Sequence, residues 1–259
     1  MHPAELGELE AFRDLYAAAP PELGARTAEI GGALCLRLEP LSAVTMFNRA
    51  LGLGLEAPAT DEQLDEALEF LQGVQAYVTV APEAEPRDLG ERLETRGVAP
   101  DRGWTKFSRS TADPPQASTA LRVERDERGE AFAEAATRGF EVPDLFLDWL
   151  RRLPGRDGWQ CFVAFDGDAP AAAGALYVTG EVGWVGIGAT IPEQRGKGGQ
   201  SALLAARIQA AADAGCELVM TETGAPVDGL PNGSYRNIER AGFEPLYVRA
   251  NYLSAIAAS

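Results

Sequence analysis

Histidine is all but missing from this chain. His2 is the only one in 259 residues, at a terminus expected to fray. That excludes Ser-His-Asp and Cys-His catalysis and any histidine-based zinc site, so no metal is expected. Chemistry is left to carboxylates, tyrosines, backbone groups and a bound cofactor. Cysteine is nearly as rare: Cys35, Cys161 and Cys216 are far apart, odd in number and set in apolar segments, which reads as buried free thiols. No apolar run is long enough to span a bilayer and no basic-then-apolar signal opens the chain, so a cytoplasmic protein without a membrane partner is expected. Positive charge is short as well, with 23 Lys and Arg against 39 Asp and Glu for a formal charge of −16. Nucleic-acid binding needs cations to neutralise phosphates, so that class is set aside. A cationic small-molecule or peptide amine would instead be drawn to an acidic cleft. Composition leaves a homodimer open.

One segment departs from this background. Residues 191–204 read Ile-Pro-Glu-Gln-Arg-Gly-Lys-Gly-Gly-Gln-Ser-Ala-Leu-Leu. An apolar run over 182–191 leads in, and a helix is expected to begin near Ser201. Glycines let the backbone turn sharply and bring N–H groups close to a ligand, and the start of a helix favours an anion. Arg195 and Lys197 add mobile positive charge. This combination suits a pyrophosphate. A nucleotide P-loop needs Gly, four residues, then Gly-Lys-Ser/Thr, and the spacing here fails. A dinucleotide fingerprint fits better, since Gly196-Lys-Gly198-Gly-Gln-Ser201 nearly matches G-x-G-x-x-G/A, yet it belongs in a βαβ unit with more α/β fold after it. A plain strand–helix turn is the remaining local reading.

The same residues carry a family resemblance. Arg195-x-x-Gly198-x-Gln200 resembles motif A, Q/R-x-x-G-x-G/A, of the GCN5-related N-acetyltransferases (GNAT), departing at Gln200, where Gly or Ala is usual. Trp184-Val-Gly-Ile-Gly-Ala-Thr-Ile191 is similar to the family's fourth strand, and Cys216-Glu-Leu-Val-Met-Thr221 to its fifth. Asn232-Gly-Ser-Tyr-Arg-Asn-Ile-Glu-Arg-Ala-Gly242-Phe243 resembles motif B, an Asn-initiated helix ending in Gly-Phe. The resemblance implies acetyl-CoA as cosubstrate. Arg195, Gly196, Lys197, Gly198, Gly199, Gln200 and Ser201 would hold its pyrophosphate, and Asn232, Ser234 and Tyr235 would touch phosphate or pantetheine. The pantetheine arm would pair with Ala189 and Ile191 or their neighbours.

Thr111-Ala-Asp-Pro-Pro-Gln-Ala-Ser118 has the composition of a linker. The segments on either side look like distant copies. In each, a helix (61–71; 201–214) precedes a glycine (Gly73; Gly215), a strand follows, and a second helix ends at another glycine (Gly97; Gly242). The first copy lacks the anion loop. Gly52-Leu-Gly-Leu-Glu-Ala-Pro-Ala-Thr-Asp61 carries acids and no Lys or Arg, and Thr60 or Asp61 caps the next helix. The expectation is therefore an α/β fold with a mixed sheet, built from two tandem GNAT-like domains. Residues 1–112 form a degenerate domain without a CoA loop, 113–118 a linker and 119–259 the acetyltransferase domain. The latter should open with a strand over 121–124, helices over 126–138 and 143–153, and a hairpin over 160–165 and 171–178.

What the family implies chemically is direct acyl transfer to an amine. The thioester must be held beside the amine. Its carbonyl needs a backbone N–H donor, expected at Gly188, Ala189, Thr190 or Ile191 because Pro192 has none. The ammonium must lose a proton, for which Glu222 and then Glu141 are the carboxylate candidates. The tyrosine that often protonates the departing thiolate is replaced by Ile238, leaving Tyr235 on nearly the same helix face, with Tyr247 and Tyr252 on the last strands. Phe140, Glu141 and Phe146 are candidate substrate contacts. The alternative is an acyl-CoA-binding protein that catalyses little.

Overall fold

The computed structural model describes residues 2–254; residue 1 and residues 255–259, the ends of the expected domain ranges, lie outside the described residues. The first elements are α1 (Pro3–Ala17), β1 (Ala25–Ile30), β2 (Ala33–Leu38), β3 (Arg49–Leu51), α2 (Asp61–Phe70), β4 (Ala76–Val80), α3 (Leu89–Thr95) and β5 (Ala99–Ser110). After an irregular stretch come β6 (Arg122–Arg125), α4 (Glu130–Phe140), α5 (Leu145–Leu150), β7 (Trp159–Asp166), β8 (Ala169–Thr179) and β9 (Val182–Thr190). The chain closes with α6 (Gly199–Asp213), β10 (Leu218–Gly224), α7 (Gly233–Arg240) and β11 (Glu244–Ser254). This is the mixed α/β class expected.

The chain divides into two units between Thr105 and Lys106, and the residues from Tyr247 onward belong to the first. The division differs from the expected organisation, in which residues 113–118 part the halves and the second runs to the C-terminus. Composition marks where the chain is irregular, whereas strand pairing decides where its last residues fold: Ala250–Ser254 pair antiparallel with Ala76–Val80.

In the first unit β1, β2 and β3 form an antiparallel ladder, β3 runs parallel to β4, and β11 follows. Leu64, Leu71, Val74, Val78, Leu89 and Leu93 fill its core. His2, expected to fray, caps α1 instead, its Nδ1 accepting from Ala4 N–H at 3.1 Å. The same helix buries two acids. Glu5 and Glu8 are each about as buried as any residue in the unit, with Arg49 and Arg249 beside them. Arg249 donates to Glu5 Oε2 at 2.9 Å and to Glu8, Arg49 donates to Glu8 Oε1 at 2.9 Å, and Tyr247 Oη to Glu5 Oε1 at 2.8 Å. Burial beside Glu5 raises the Tyr247 hydroxyl far above the usual tyrosine range, so it keeps its proton.

In the second unit the strand order is β10-β9-β8-β7-β6, with β9 and β10 parallel and the others antiparallel. Leu176, Val185, Leu203, Ile208, Val219 and Phe243 pack between sheet and α6. Helix α4 begins four residues later than expected, because Asp126 gathers the N–H groups of Arg128, Gly129 and Phe132 on its carboxylate. All three cysteines are buried and free, and burial pushes the Cys35 thiol up to about 12. No described helix is long and apolar enough to cross a membrane.

Removing one arginine from the buried quartet leaves an acid without compensation. Arg249→Met should cost about 3–5 kcal/mol, read as a lowered urea midpoint by circular dichroism. A midpoint within experimental error of the wild type counts against the quartet as a structural requirement.

Candidate functional site

The second unit's sheet opens at one place. β9 and β10 pair in register from Val182↔Leu218 to Trp184↔Met220, and no further, although β9 continues to Thr190 and β10 to Gly224. Thr221 Oγ1 donates to Val185 O at 2.8 Å and closes the apex of the splay. Beyond it β9 also loses register with β8: Ala173 lies opposite Ala189, but Ala175 lies opposite Gly186, so one residue of β8 faces two of β9. This is a β-bulge. Ile187 within it has φ +48°, a strained value for a β-branched residue. The extra residue also shifts facing. A Cβ at Gly188 would point at Gln200 of α6, whereas Ala189 touches Gly139 of α4.

The anion loop follows directly. A single turn over Pro192–Gln194 leads to Arg195, then Gly196 and Gly198 adopt left-handed φ of +83° and +84°. Gly198 is the N-cap of α6, with no side-chain cap and no acid in the first turn. The N–H groups that open a helix have no partner within it, so here they face outward without a capping oxygen. Helix α2 of the first unit occupies the matching place and is closed: Thr60 and Gln63 form a reciprocal capping box, and Asp61 and Glu62 fill the first turn.

Not every expected loop residue is available to a phosphate. Lys197 Nζ lies 2.6 Å from Asp166 Oδ2 and 2.7 Å from Gln194 Oε1. Arg195 lies 3.7 Å from Glu141, both well exposed, so that pair contributes little and can be displaced. Gln200 turns away from the loop, its Nε2 donating to Ala189 O at 2.7 Å, Thr190 Oγ1 at 3.2 Å and Ala173 O at 3.3 Å. Ile191 N–H is already given to Ala171 O at 3.0 Å. The expected pairing of pantetheine with Ala189 and Ile191 therefore meets groups already engaged. Alternation along the strand turns the N–H of Thr190 to the opposite edge, toward the splay.

Among the proton-transfer candidates, Glu222 sits two residues past the last β9–β10 pair, nearly buried, with Lys106 Nζ of β5 at 3.0 Å. Lys106 goes unannounced in the sequence, because an isolated lysine in a strand gives no pattern to read. Glu141 ends α4 with φ +55° and faces the loop through Arg195. Tyr235 packs edge-on against Phe107, ring centroids 4.8 Å apart, and Ile238 is core. Tyr247 and Tyr252 belong to the first unit. Asn232 caps α7 through Tyr235 N–H and donates to Gly224 O, tying the end of β10 to the helix, while Ser234 is exposed. Phe146 is buried against Trp149 and serves the core; Phe140 is half-buried. Among the described residues no group of His, Cys, Asp and Glu could hold a metal.

A loop of uncapped amides beside a splayed parallel pair has a known counterpart. Residues 121–229 match the model of the acetyltransferase (GNAT) family. This part of the chain is a GNAT domain. Solved GNAT structures share its fold over nearly the whole chain. A GCN5-related N-acetyltransferase from Kribbella flavida is 18% identical with TM-score 0.63, over 96% of this chain and 94% of that one. A putative GNAT-family acetyltransferase from Novosphingobium aromaticivorans is 18% identical with TM-score 0.58, over the full length of both. A tandem GNAT protein from the clavulanic acid biosynthesis pathway is 16% identical with TM-score 0.59, over 89% of this chain and 80% of that one. A search of curated proteins finds no match in sequence. At such identities the structural likeness speaks for fold alone, while the residues matched to the family span β9, the loop and α6.

Because Glu141 competes for Arg195, Glu141→Gln should leave stability within about 0.5 kcal/mol and tighten binding of CoA in a calorimetric titration. Weaker binding would mean that the pair orders the loop.

Proposed function

We propose that the second unit is an acetyl-CoA-dependent N-acetyltransferase, passing an acyl group directly to an amine in a ternary complex. The observation that carries this reading is the start of α6: glycine amides with no capping side chain and no acid, beside the place where β9 and β10 part. The pyrophosphate of CoA would sit on the N–H groups of residues 196–201 and the pantetheine would run along the open edge of β9. The first unit, whose equivalent helix carries its own cap and acids, would bind no CoA, and the two halves would be diverged copies of one GNAT-like module.

In this scheme the free amine attacks the thioester carbon, the carbonyl oxygen takes up charge against a β9 N–H, and the C–S bond breaks to release CoA thiolate. Glu222, directly or through water, would take the ammonium proton, with Glu141 next; Tyr235 would be the acid for the thiolate. The acceptor would be a small-molecule or peptide amine. A second reading, an acyl-CoA-binding protein with little turnover, draws support from Ile238 at the tyrosine position and from the Lys106 ion pair on Glu222.

Incubation with acetyl-CoA and a panel of amines, with release of free thiol followed over time, separates these readings. Thiol release that depends on the amine is expected; thermal stabilisation by CoA without turnover on any amine would favour the binding protein. Gly196→Asp is the sharper probe of the loop, since its Cβ would meet nothing within 4 Å and Asp tolerates left-handed φ. It should cost about 1 kcal/mol of stability and weaken CoA on the order of 10²-fold. Retained affinity would place the pyrophosphate elsewhere. Glu222→Gln should abolish the acid limb of the pH–rate profile; an unchanged limb assigns the base to another group.

A further inference from the structure

Helix α6 does more than open at the loop. Gln200, Leu203 and Arg207 recur at helical spacing and face the same side of β8 and β9. Arg207 is 2% exposed, and no carboxylate faces it among the described residues. Burial draws its pKa down to about 9, which leaves it a cation at neutral pH. The guanidinium spends its donors on main-chain carbonyls: Nε on Leu203 O at 2.9 Å, Nη1 on Gly186 O at 3.0 Å and on Ala175 O at 3.3 Å. Gln200 does the same about two turns earlier, on Ala189 O and Ala173 O.

These carbonyls frame the bulge. Gly186 precedes it and Ala189 follows it on β9, and Ala175 and Ala173 are their partners on β8. Where an extra residue breaks a ladder, carbonyls lose regular donors and need others. Gly174, the residue opposite the bulge, leaves the room: a Cβ there would come within 2.6 Å of Arg207 Cζ. A buried cation without an acid is costly, and an aliphatic side chain would fill the same volume with less penalty. What an aliphatic chain cannot do is hold two strands at a fixed irregular spacing. The strained φ of Ile187 persists only if its surroundings over-determine it, and Arg207 and Gln200 supply that constraint.

We propose that Arg207 and Gln200 are positioning residues for acyl transfer. They hold the β9 bulge in the shape that presents its N–H groups to the thioester carbonyl, and α6 sets the distance from there to the pyrophosphate loop. The inference rests on the acyl-transfer reading above and concerns two side chains that turn away from the loop, onto β8 and β9.

The test compares Arg207→Met, Arg207→Lys and Gln200→Leu with the wild type by turnover, CoA affinity and backbone amide exchange. Arg207→Met should lower kcat by about 10²-fold, keep CoA affinity within about threefold because the loop amides are untouched, and speed exchange over residues 186–190. Arg207→Lys should restore part of kcat, since an ammonium reaches one carbonyl but lacks the planar fork. Should Arg207→Met fail to fold, Gln200→Leu at the half-buried start of the helix carries the same expectation. A folded variant with kcat within about threefold of wild type overturns the proposal, as does a loss of kcat and CoA affinity in step with thermal stability. A wild type inert toward every amine fails the acyl-transfer reading; exchange over 186–190 unchanged in all variants then overturns this one as well.

Discussion

Backbone that leaves its ladder still needs partners, and the second unit is organised around one such departure. β9 and β10 separate after Trp184 and Met220, and within a few residues β9 also falls out of step with β8. Exposed amides and carbonyls in the middle of a sheet are tolerated only if side chains, solvent or a ligand take them up. Thr221 takes one at the apex, Gln200 and Arg207 take several from the α6 side, and Gly139 lets α4 approach the other side until a Cβ would lie 2.9 Å from Thr190 N. What is left unclaimed is the edge of β9 facing the splay.

The two units share an order of elements and differ at the start of one helix. α2-β4-α3 and α6-β10-α7 follow the same order, and each helix after its strand ends at a left-handed glycine, Gly97 or Gly242. The start of the first helix differs between them. In α2 a threonine and a glutamine satisfy the amides and two acids repel any phosphate; in α6 glycines leave them open. Capping stabilises a helix on its own account, so α2 needs no outside partner at its start.

The glycine turn into α6 was legible in the sequence because three clustered glycines before an apolar helical stripe mark a sharp bend at a helix start. The helices flanking the two repeat glycines were legible too, since apolar periodicity is local information. Contacts made at long range were hidden. Nothing in Arg207 or Lys106 distinguishes a buried cation from a solvated one until the strands that receive it are assembled. Glu5 and Glu8 of α1 look like an exposed acidic face, and only Arg49 and Arg249, far away in the chain, account for their burial. The pairing of the last strand is hidden for the same reason. The proline-rich stretch after Thr111 is irregular, as its composition says, but the last strand is claimed by β4, and no local pattern announces that.

Lys197 is tied to Asp166 and Gln194, so the loop presents main chain more than side chains to its surroundings. Peptide dipoles of this kind are held by the conformation of the glycines and are indifferent to what the neighbouring side chains become. Torsion angles, more than side-chain chemistry, set the character of this turn.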